Sequence, residues 1–205
     1  MPVSESLFCL ELPPTMFKAF WKIVLVGAIA AILVIFYLGL SNNPRAIPSP
    51  LVGKKAQPFD AEPLVGEQRV RLQDYRGQWL VVNFWGSWCV SCVSEHRDLM
   101  QLAAISRQRG DFAIVGVDFR DTRQGAETFL KRHGNPGYAH AFDPKQKIAI
   151  DWGVYGAPES YIVSPDGKIA HKHTGPIYPG WFEKVLLPII EGKESVETVV
   201  DGGAG

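Results

Sequence analysis

Cysteine is scarce in this chain, with three among 205 residues, and a net charge is lacking because 21 basic and 21 acidic side chains cancel. Three cysteines are too few to hold a small fold together by disulfides, so the fold depends on a hydrophobic core. The sequence also lacks a long basic run or an alternation of basic and aromatic residues, which argues against a nucleic-acid partner. Its length allows one domain with a full core and an appendage.

Charge is missing altogether from residues 23–40 near the N-terminus. As a helix rising about 1.5 Å per residue, this apolar run is long enough to cross the hydrocarbon core of a bilayer, about 30 Å thick. Trp21 and Tyr37 lie near its ends, where aromatic residues suit a membrane interface. We therefore predict a transmembrane anchor at residues 23–40, after a short N-terminal segment at residues 1–22. A cleaved signal peptide is the alternative, but the small-residue cleavage site that it requires is missing.

Proline is concentrated in the segment that follows the anchor, residues 41–58, together with small polar residues. This composition is typical of a semi-rigid linker, which would hold a domain away from the bilayer. The folded domain is predicted at residues 59–192. Residues 193–205 end in glycine and alanine and are predicted to form a C-terminal tail.

Apolar patterning divides the predicted domain into strands and helices. Continuous apolar runs predict strands buried on both faces, whereas apolar residues at helical spacing, with glycine or proline after them, predict helices. A Ser-Pro-Asp-Gly turn predicts a hairpin near the C-terminal end. The predicted strands are residues 59–64, 70–72, 79–85, 112–119, 160–163 and 168–172. The predicted helices are residues 93–109, 123–133 and 179–191. This order is typical of the α/β class, with a mixed sheet flanked by helices.

Two of the cysteines, Cys89 and Cys92, lie close together where the strand 79–85 gives way to a helix. This spacing at a strand–helix junction favours dithiol–disulfide exchange over a structural cross-link. A zinc site would need two further cysteine or histidine ligands at comparable spacing. The third cysteine, Cys9, lies on the other side of the predicted anchor. We therefore predict neither a metal site nor a cofactor.

The position of each thiol predicts its role. Unpaired backbone N–H groups and the helix dipole favour a thiolate at the start of a helix, so Cys89 is the predicted nucleophile. Cys92 lies one turn further and is the predicted resolving thiol, which breaks the mixed disulfide that Cys89 forms with a client. Trp88 is predicted to form a wall of this site, and Trp85 to belong to the core.

Two motifs together resemble a known family. They are Trp-Cys-x-x-Cys at residues 88–92, after a buried strand, and Gly-Val-Tyr-Gly-Ala-Pro-Glu at residues 153–159, before a hairpin. They resemble the thioredoxin superfamily and, more narrowly, the membrane-anchored DsbE/CcmG group of cytochrome c biogenesis. Four further segments fit this group: residues 83–85, 95–96, 116–118 and 134–136. The resemblance extends over about residues 50–192, and it implies a thioredoxin-like fold.

The resemblance implies roles for further residues. Pro158 would follow a cis peptide bond and face the cysteines. The acidic residues of the family correspond to Glu95 and Glu159, and carboxylates near the thiols would oppose thiolate formation. Either glutamate could instead be an ordinary surface residue. Val90 and Ser91 separate the cysteines, where the family commonly has Pro-Thr.

The resemblance also implies a location and partners. The chain would cross the bacterial inner membrane once, with a cytoplasmic N-terminus and a domain that faces the periplasm. It would reduce the haem-attachment cysteines of apocytochrome c, or a partner thiol protein, and a membrane electron donor of the DsbD/CcdA type would reduce it in turn. Two alternatives are a TlpA-like or oxidising disulfide enzyme with other clients, and a thioredoxin-like copper-handling protein that uses both cysteines and a histidine.

The remaining polar residues are predicted to have ordinary structural places. His96 is predicted to be solvated on its helix, and His171 and His173 to be exposed on one face of an edge strand. Asp118 and Asp121 are predicted only to end a strand.

Overall fold

The computed structural model describes residues 14–41 and 50–193, and the chain divides into two compact units, Met1–Arg45 and Ala46–Gly205. The first unit contains helix α1, Pro14–Ser41. Its segment Phe20–Tyr37 is long and apolar enough to cross a membrane, and its side chains are not buried by other parts of the protein. The helix is longer than the predicted anchor because the flanking residues continue it. Residues 42–49 of the predicted linker and residues 194–205 of the predicted tail lie outside the described residues.

The second unit is built on a seven-stranded mixed sheet. In chain order the strands are β1 Asp60–Pro63, β2 Val70–Arg71, β3 Trp79–Trp85, β4 Phe112–Phe119, β5 Ala139–Asp143, β6 Glu159–Val163 and β7 Ile169–Thr174. Their order in the sheet is β2-β1-β5-β4-β3-β6-β7. Strand β3 pairs in parallel with β4, and β4 with β5, whereas the pairs β3–β6, β6–β7, β1–β5 and β1–β2 are antiparallel. The predicted mixed sheet is therefore confirmed.

Helices cover the sheet. The α-helices of this unit are α2 Val90–Arg109, α3 Arg123–His133, α4 Lys147–Asp151 and α5 Leu187–Ile190, and a short 3₁₀ turn spans Leu72–Tyr75. A π-helical turn, Phe182–Leu186, leads into α5. The sequence predicts that Pro188 breaks or kinks the last turn of the helix 179–191. Pro188 lies in the first turn of α5, directly after the π-helical turn, and because proline cannot donate a backbone hydrogen bond, the helix is irregular here.

Strand β3 forms the centre of the domain because both of its faces are buried. Leu80, Val82 and Phe84 belong to the hydrophobic cluster on one face. Val81 belongs to the cluster on the other face, which it shares with side chains of α2 and of the C-terminal segment. Successive strand residues point to opposite faces, so a continuous apolar run is what a strand between two layers requires.

Strand β5 and helix α4 were not predicted. Strand β5 has the sequence Ala-His-Ala-Phe-Asp, without a β-branched residue, so its local preference for a strand is weak. Its pairing with β4 on one side and β1 on the other holds it in the sheet. Helix α4 has only five residues, too few for a recognisable helical period.

Residues 50–58 belong to the domain, which differs from the predicted boundary at residue 59. Gly53 N donates to Ile169 O at 2.8 Å, and Ala56 N donates to Gly167 O at 2.9 Å. Trp152 Nε1 donates to Gln57 O at 3.0 Å. Leu51, Val52 and Ala56 also pack against the core. Proline content predicted a spacer here, but these long-range contacts order the segment.

We expect removal of this segment to destabilise the domain. A chain of residues 59–205 would lose four hydrogen bonds, three between backbone groups and one from the Trp152 indole, compared with residues 46–205. It would also lose the packing of Leu51, Val52 and Ala56 against the core. At about 1 kcal/mol per hydrogen bond and about 0.8 kcal/mol per buried methylene, the free energy of unfolding should fall by roughly 2–5 kcal/mol. Urea unfolding followed by tryptophan fluorescence measures this, with residues 50–205 as the matched control. Equal midpoints for all three chains would contradict the assignment.

Candidate active site

Cys89 and Cys92 lie at the start of α2, directly after the turn that leaves β3. Cys89 is the N-cap residue of α2, and its Sγ accepts a hydrogen bond from Cys92 N at 3.1 Å. The two sulfurs form a disulfide with 5.3 Å between the Cα atoms. A sulfur in the N-cap position faces the positive end of the helix dipole, so on reduction this position favours a thiolate at Cys89 over one at Cys92.

The pair lies at the boundary between core and solvent. Cys89 is 6% exposed and Cys92 2% exposed, whereas Trp88 is 47% and Val90 84% exposed. The two cysteines share a hydrophobic cluster with Trp85 and with residues of α3. A client can therefore approach over the exposed apolar residues beside Cys89, while Cys92 lies deeper.

Trp88 is held in place by its neighbours. Its Nε1 donates to Phe119 O at 3.3 Å, and its ring lies edge-on to that of Phe119, with 5.6 Å between the centroids. A Cβ atom at Gly86 would lie 2.4 Å from Trp88 Nε1. Glycine at position 86 therefore allows the indole to lie against the turn, a requirement that the sequence motif alone did not indicate.

Asp121 fixes the turn before Cys89, a role that sequence reasoning missed. Its carboxylate accepts hydrogen bonds from Ser87 N and, at 2.9 Å, from Ser87 Oγ. It also accepts from Thr122 N at 2.7 Å. Asp118 is fully buried, and burial together with the neighbouring Asp121 raises its pKa to about 8. Asp118 is therefore mainly protonated at pH 7.

The peptide bond between Ala157 and Pro158 is cis. Ala157 packs against the cluster that contains Cys89 and Cys92, so this turn lies beside the disulfide. Gly175 N donates to Pro158 O at 3.0 Å, which continues the pairing of β6 with β7 up to the turn. The structure thus brings the second sequence motif next to the first.

Glu95 lies inside the domain, not on its surface. It is 0% exposed; its Oε1 accepts from Asn83 Nδ2 at 3.0 Å, and its Oε2 accepts from Ile177 N at 2.8 Å. Burial raises the pKa of Glu95 to about 7, although the two hydrogen bonds act in the opposite direction. Glu95 and Cys92 line the same small cavity, so a carboxyl group that titrates near neutral pH lies close to the deeper cysteine.

Glu159 is also buried, but it lies on the other face of the sheet. It pairs in register with Phe84, and directly paired residues of antiparallel strands point to the same face, which here is the face opposite the disulfide. Lys172 Nζ lies 2.9 Å from its carboxylate and also donates to Gly153 O at 3.1 Å. Glu159 therefore ties the 153–159 turn to β7 through a buried ion pair.

Three histidines predicted to be exposed are buried instead. His96 is 6% exposed, and His171 and His173 are each 4% exposed. The Nε2 atom of His96 lies 2.7 Å from Gly134 O, and burial lowers its pKa. The C-terminal segment covers the edge strand, because the His173 ring lies 5.8 Å from that of Trp181. The prediction for His171 and His173 failed because this cover comes from a segment that follows the strand.

Within residues 14–41 and 50–193, no group of three or more histidine, cysteine, aspartate or glutamate side chains is placed to hold a metal ion. The site itself combines two sulfurs, a buried carboxyl group and a cis-proline turn.

Comparison with known proteins decides the family. The model of the AhpC/TSA family matches residues 52–172. The chain belongs to this family. The thiol:disulfide interchange protein DsbE of Allochromatium vinosum is 40% identical over 166 residues, which cover 80% of this chain and 90% of that protein. The thiol:disulfide interchange protein HelX of Rhodobacter capsulatus is 38% identical over 152 residues, which cover 74% and 84% of the two chains.

A solved structure confirms the thioredoxin-like fold of this AhpC/TSA member. A Chlorobium tepidum protein, described as a DsbE thiol:disulfide interchange protein, superposes with a TM-score of 0.57 at 28% identity and covers 68% of this chain and 94% of its own. The predicted family and the predicted enzyme class are therefore confirmed. The chain is a protein dithiol–disulfide oxidoreductase with a DsbE-like domain and an N-terminal helix that is long enough to span a membrane.

The buried carboxyl group predicts how stability changes with pH. Its pKa in the folded protein, about 7, is above the ordinary value of 4.5, so its contribution to stability is full below pH 4.5 and is lost as pH rises through 7. We expect the free energy of unfolding of the oxidised domain to fall by roughly 3 kcal/mol over this interval, relative to Glu95→Gln. Urea titrations between pH 4.5 and 8 measure it.

Glu67→Gln, a substitution at an exposed position, is the control for this experiment, since it removes a carboxyl group that does not lie in the core. It should leave the pH dependence of the wild type unchanged. If the free energy of unfolding of the wild type changed with pH in parallel with that of Glu95→Gln, burial would not shift the pKa of Glu95.

Proposed function

We propose that this protein reduces disulfides during cytochrome c maturation. Its clients would be the haem-attachment cysteines of apocytochrome c, or a partner thiol protein that acts on them. The observation that carries the proposal is the fully buried Glu95 close to Cys92. A carboxylate beside a thiol opposes thiolate formation. Because a strong oxidant needs a stabilised reduced form, this placement favours the disulfide state and hence a reductant.

The names of the relatives support the same proposal. DsbE and HelX are both thiol:disulfide interchange proteins, and the DsbE/CcmG group to which the two motifs point acts in cytochrome c biogenesis. This chain aligns with the DsbE protein of Escherichia coli over 80% of the latter's length, so the proposal concerns a whole domain and not a shared fragment.

The two cysteines would act in sequence. The Cys89 thiolate attacks one sulfur of the client disulfide, which forms a mixed disulfide and releases the other client sulfur as a thiolate. Cys92 then attacks the Cys89 sulfur, the Cys89–Cys92 disulfide forms, and the second client thiol leaves. Two electrons pass from the enzyme to the client. Trp88 provides an exposed apolar surface beside Cys89, and the backbone next to Pro158 would pair with the client segment.

The length and apolar character of α1 support a membrane location. We propose that the anchor crosses the bacterial inner membrane, with the short N-terminal segment, residues 1–22, on the cytoplasmic side and the domain in the periplasm. The oxidised pair would then be reduced by a membrane electron donor of the DsbD/CcdA type, since the periplasm itself is oxidising. Tethering would keep the domain near both that donor and the site of haem attachment.

One observation favours a second candidate, an oxidising or TlpA-like disulfide enzyme. The N-cap position of Cys89 stabilises its thiolate, and a stabilised thiolate makes a dithiol pair more oxidising. The helix contributes about 0.3–1 kcal/mol at an exposed site and up to about 2 kcal/mol in a partly buried one. The buried Glu95 carboxyl group disfavours a thiolate at Cys92 more strongly than the helix N-terminus favours one at Cys89. We therefore favour reduction.

Trapping the first intermediate tests the proposal. Cys92→Ser removes the resolving thiol, so Cys89 should remain covalently bound to a peptide whose Cys-x-x-Cys-His haem-attachment motif starts as a disulfide. We expect a stable mixed disulfide on non-reducing electrophoresis and by mass spectrometry, and none with Cys89→Ser. If the adduct forms through residue 92 in Cys89→Ser, or in neither variant, the assigned roles are wrong.

A further inference from the structure

Asp118, near the end of β4, is a buried carboxyl group that the mechanism above does not use. It is 0% exposed, and neither of its oxygens receives a hydrogen bond from the residues that the structure describes. Its neighbours in the sheet supply none: Phe142 in β5 has no polar group, and Nε1 of Trp85 in β3 has no partner among the described residues either. An ionised carboxylate here would lack the hydrogen bonds that a buried charge requires, so Asp118 is a neutral acid.

A neutral carboxylic acid has one O–H donor, and Asp121 is the acceptor within its reach. The hydrogen bond between these two carboxyl groups is one of the causes that raise the pKa of Asp118 to about 8. Two carboxyl groups form such a bond only when one of them holds a proton. The Asp121 carboxylate already accepts from Ser87 N, Ser87 Oγ and Thr122 N, so Asp121 carries the charge and Asp118 the proton.

The other charged groups that act on Asp118 leave this proton in place. From β5, Asp143 adds negative charge, and its own carboxylate accepts from two backbone N–H groups at the start of α4. From α3, Arg123 acts in the opposite direction, but its Nη1 donates to two backbone carbonyls of residues 63–64, at 3.0 Å each. Strand β3 faces Asp118 with Trp85, which has no charge.

Asp121 connects the buried proton to the turn before Cys89. Ser87 lies two positions before Cys89, and Asp121 accepts from both its backbone N–H and its hydroxyl. A Cβ atom at Gly125 would lie 2.8 Å from Ser87 Oγ and 2.9 Å from Asp121 Oδ1, so the first turn of α3 packs directly against this contact. The position of Asp121 therefore determines how the turn before Cys89 is held.

We propose that Asp118 is a positioning residue for the exchange reaction, because its proton holds Asp121 in place and Asp121 holds the turn that presents Cys89. Loss of this proton leaves two carboxylates side by side in a buried place, and their repulsion moves Asp121 away from Ser87. The turn then loses its two hydrogen bonds, and Cys89 attacks disulfides more slowly. The inference goes beyond the proposed function, since it concerns every exchange through Cys89, whether the client is reduced or oxidised.

The pH dependence of a single exchange step tests this role. The full-length parent protein, in detergent micelles, carries Cys9→Ser and Cys92→Ser, so that Cys89 is its one remaining thiol. The Cys89 thiolate attacks one sulfur of oxidised glutathione, a mixed disulfide forms, and the other half of the glutathione disulfide leaves as a thiolate. Acid quenching and mass spectrometry give the rate of this step between pH 6 and 9.5.

In the parent protein we expect the rate to rise with pH as Cys89 ionises, and to fall above pH 8, where Asp118 loses its proton. The fall should be about tenfold, which is of the order expected for losing hydrogen bonds to a charged group. Asp118→Asn keeps an N–H donor toward Asp121 but has no proton to lose, so its rate should not fall at high pH. Asp118→Leu lacks the donor and should be slow at every pH.

Asp74→Asn is the matched control, because it removes an exposed carboxylate from the turn Leu72–Tyr75, and it should keep the fall above pH 8. Identical pH profiles for the parent protein and Asp118→Asn would overturn the inference. That result would leave the proposed function standing, since glutathione is not its client and the peptide trap tests it separately.

A second measurement covers the case in which Asp118→Leu fails to fold. Infrared difference spectra between pH 7 and 9.5 are recorded on the oxidised full-length protein with Glu95→Gln, so that Glu95 does not contribute. We expect the C=O band of a protonated carboxyl group to be lost at the higher pH, and Asp118→Asn to abolish this change. A change that is absent from the first protein, or that persists in Asp118→Asn, would overturn the inference.

Discussion

The meeting of a buried strand with a helix N-terminus is the constraint on which this site depends. Strand β3 ends at Trp85, and α2 can begin so soon after it because the Cys89 sulfur caps the helix. This junction places the two cysteines one helical turn apart, at the edge of the core, where their sulfurs can bond. The hydrogen bonds that Asp121 makes to Ser87 hold the connecting turn, and the absence of a side chain at Gly86 leaves room for the Trp88 indole against it.

Two electrostatic effects act on the pair in opposite directions. The helix N-terminus stabilises a thiolate at Cys89 by about 0.3–2 kcal/mol. The interior around Glu95 is less favourable to charge, since its pKa moves from 4.5 to about 7, equivalent to roughly 3 kcal/mol. The first effect makes the outer sulfur reactive, and the second disfavours negative charge at the inner one. Together they support the proposal of a dithiol that reacts through Cys89 and returns readily to the disulfide.

Local signals in the sequence predicted the framework, and long-range packing determined the rest. Strands 79–85 and 112–119 and helix 123–133 have the bounds that their apolar runs and end signals indicate. Such local signals did not predict that the acidic and imidazole groups are buried. Glu95 accepts a hydrogen bond from the backbone N–H of Ile177, which lies 82 positions further along the chain. The C-terminal segment covers His173. Periodicity within one element says nothing about which distant segment will cover it, so the chemistry of the site needed the structure.

The reduction potential of the Cys89–Cys92 pair tests the central claim most directly. It is measured by equilibrating the full-length protein with redox buffers at pH 7 and counting free thiols by mass spectrometry. A buried carboxyl group beside the inner cysteine predicts a reductant, with a potential near the roughly −270 mV of thioredoxin. A potential near the roughly −120 mV of DsbA would show that the helix N-terminus dominates, and would contradict the account.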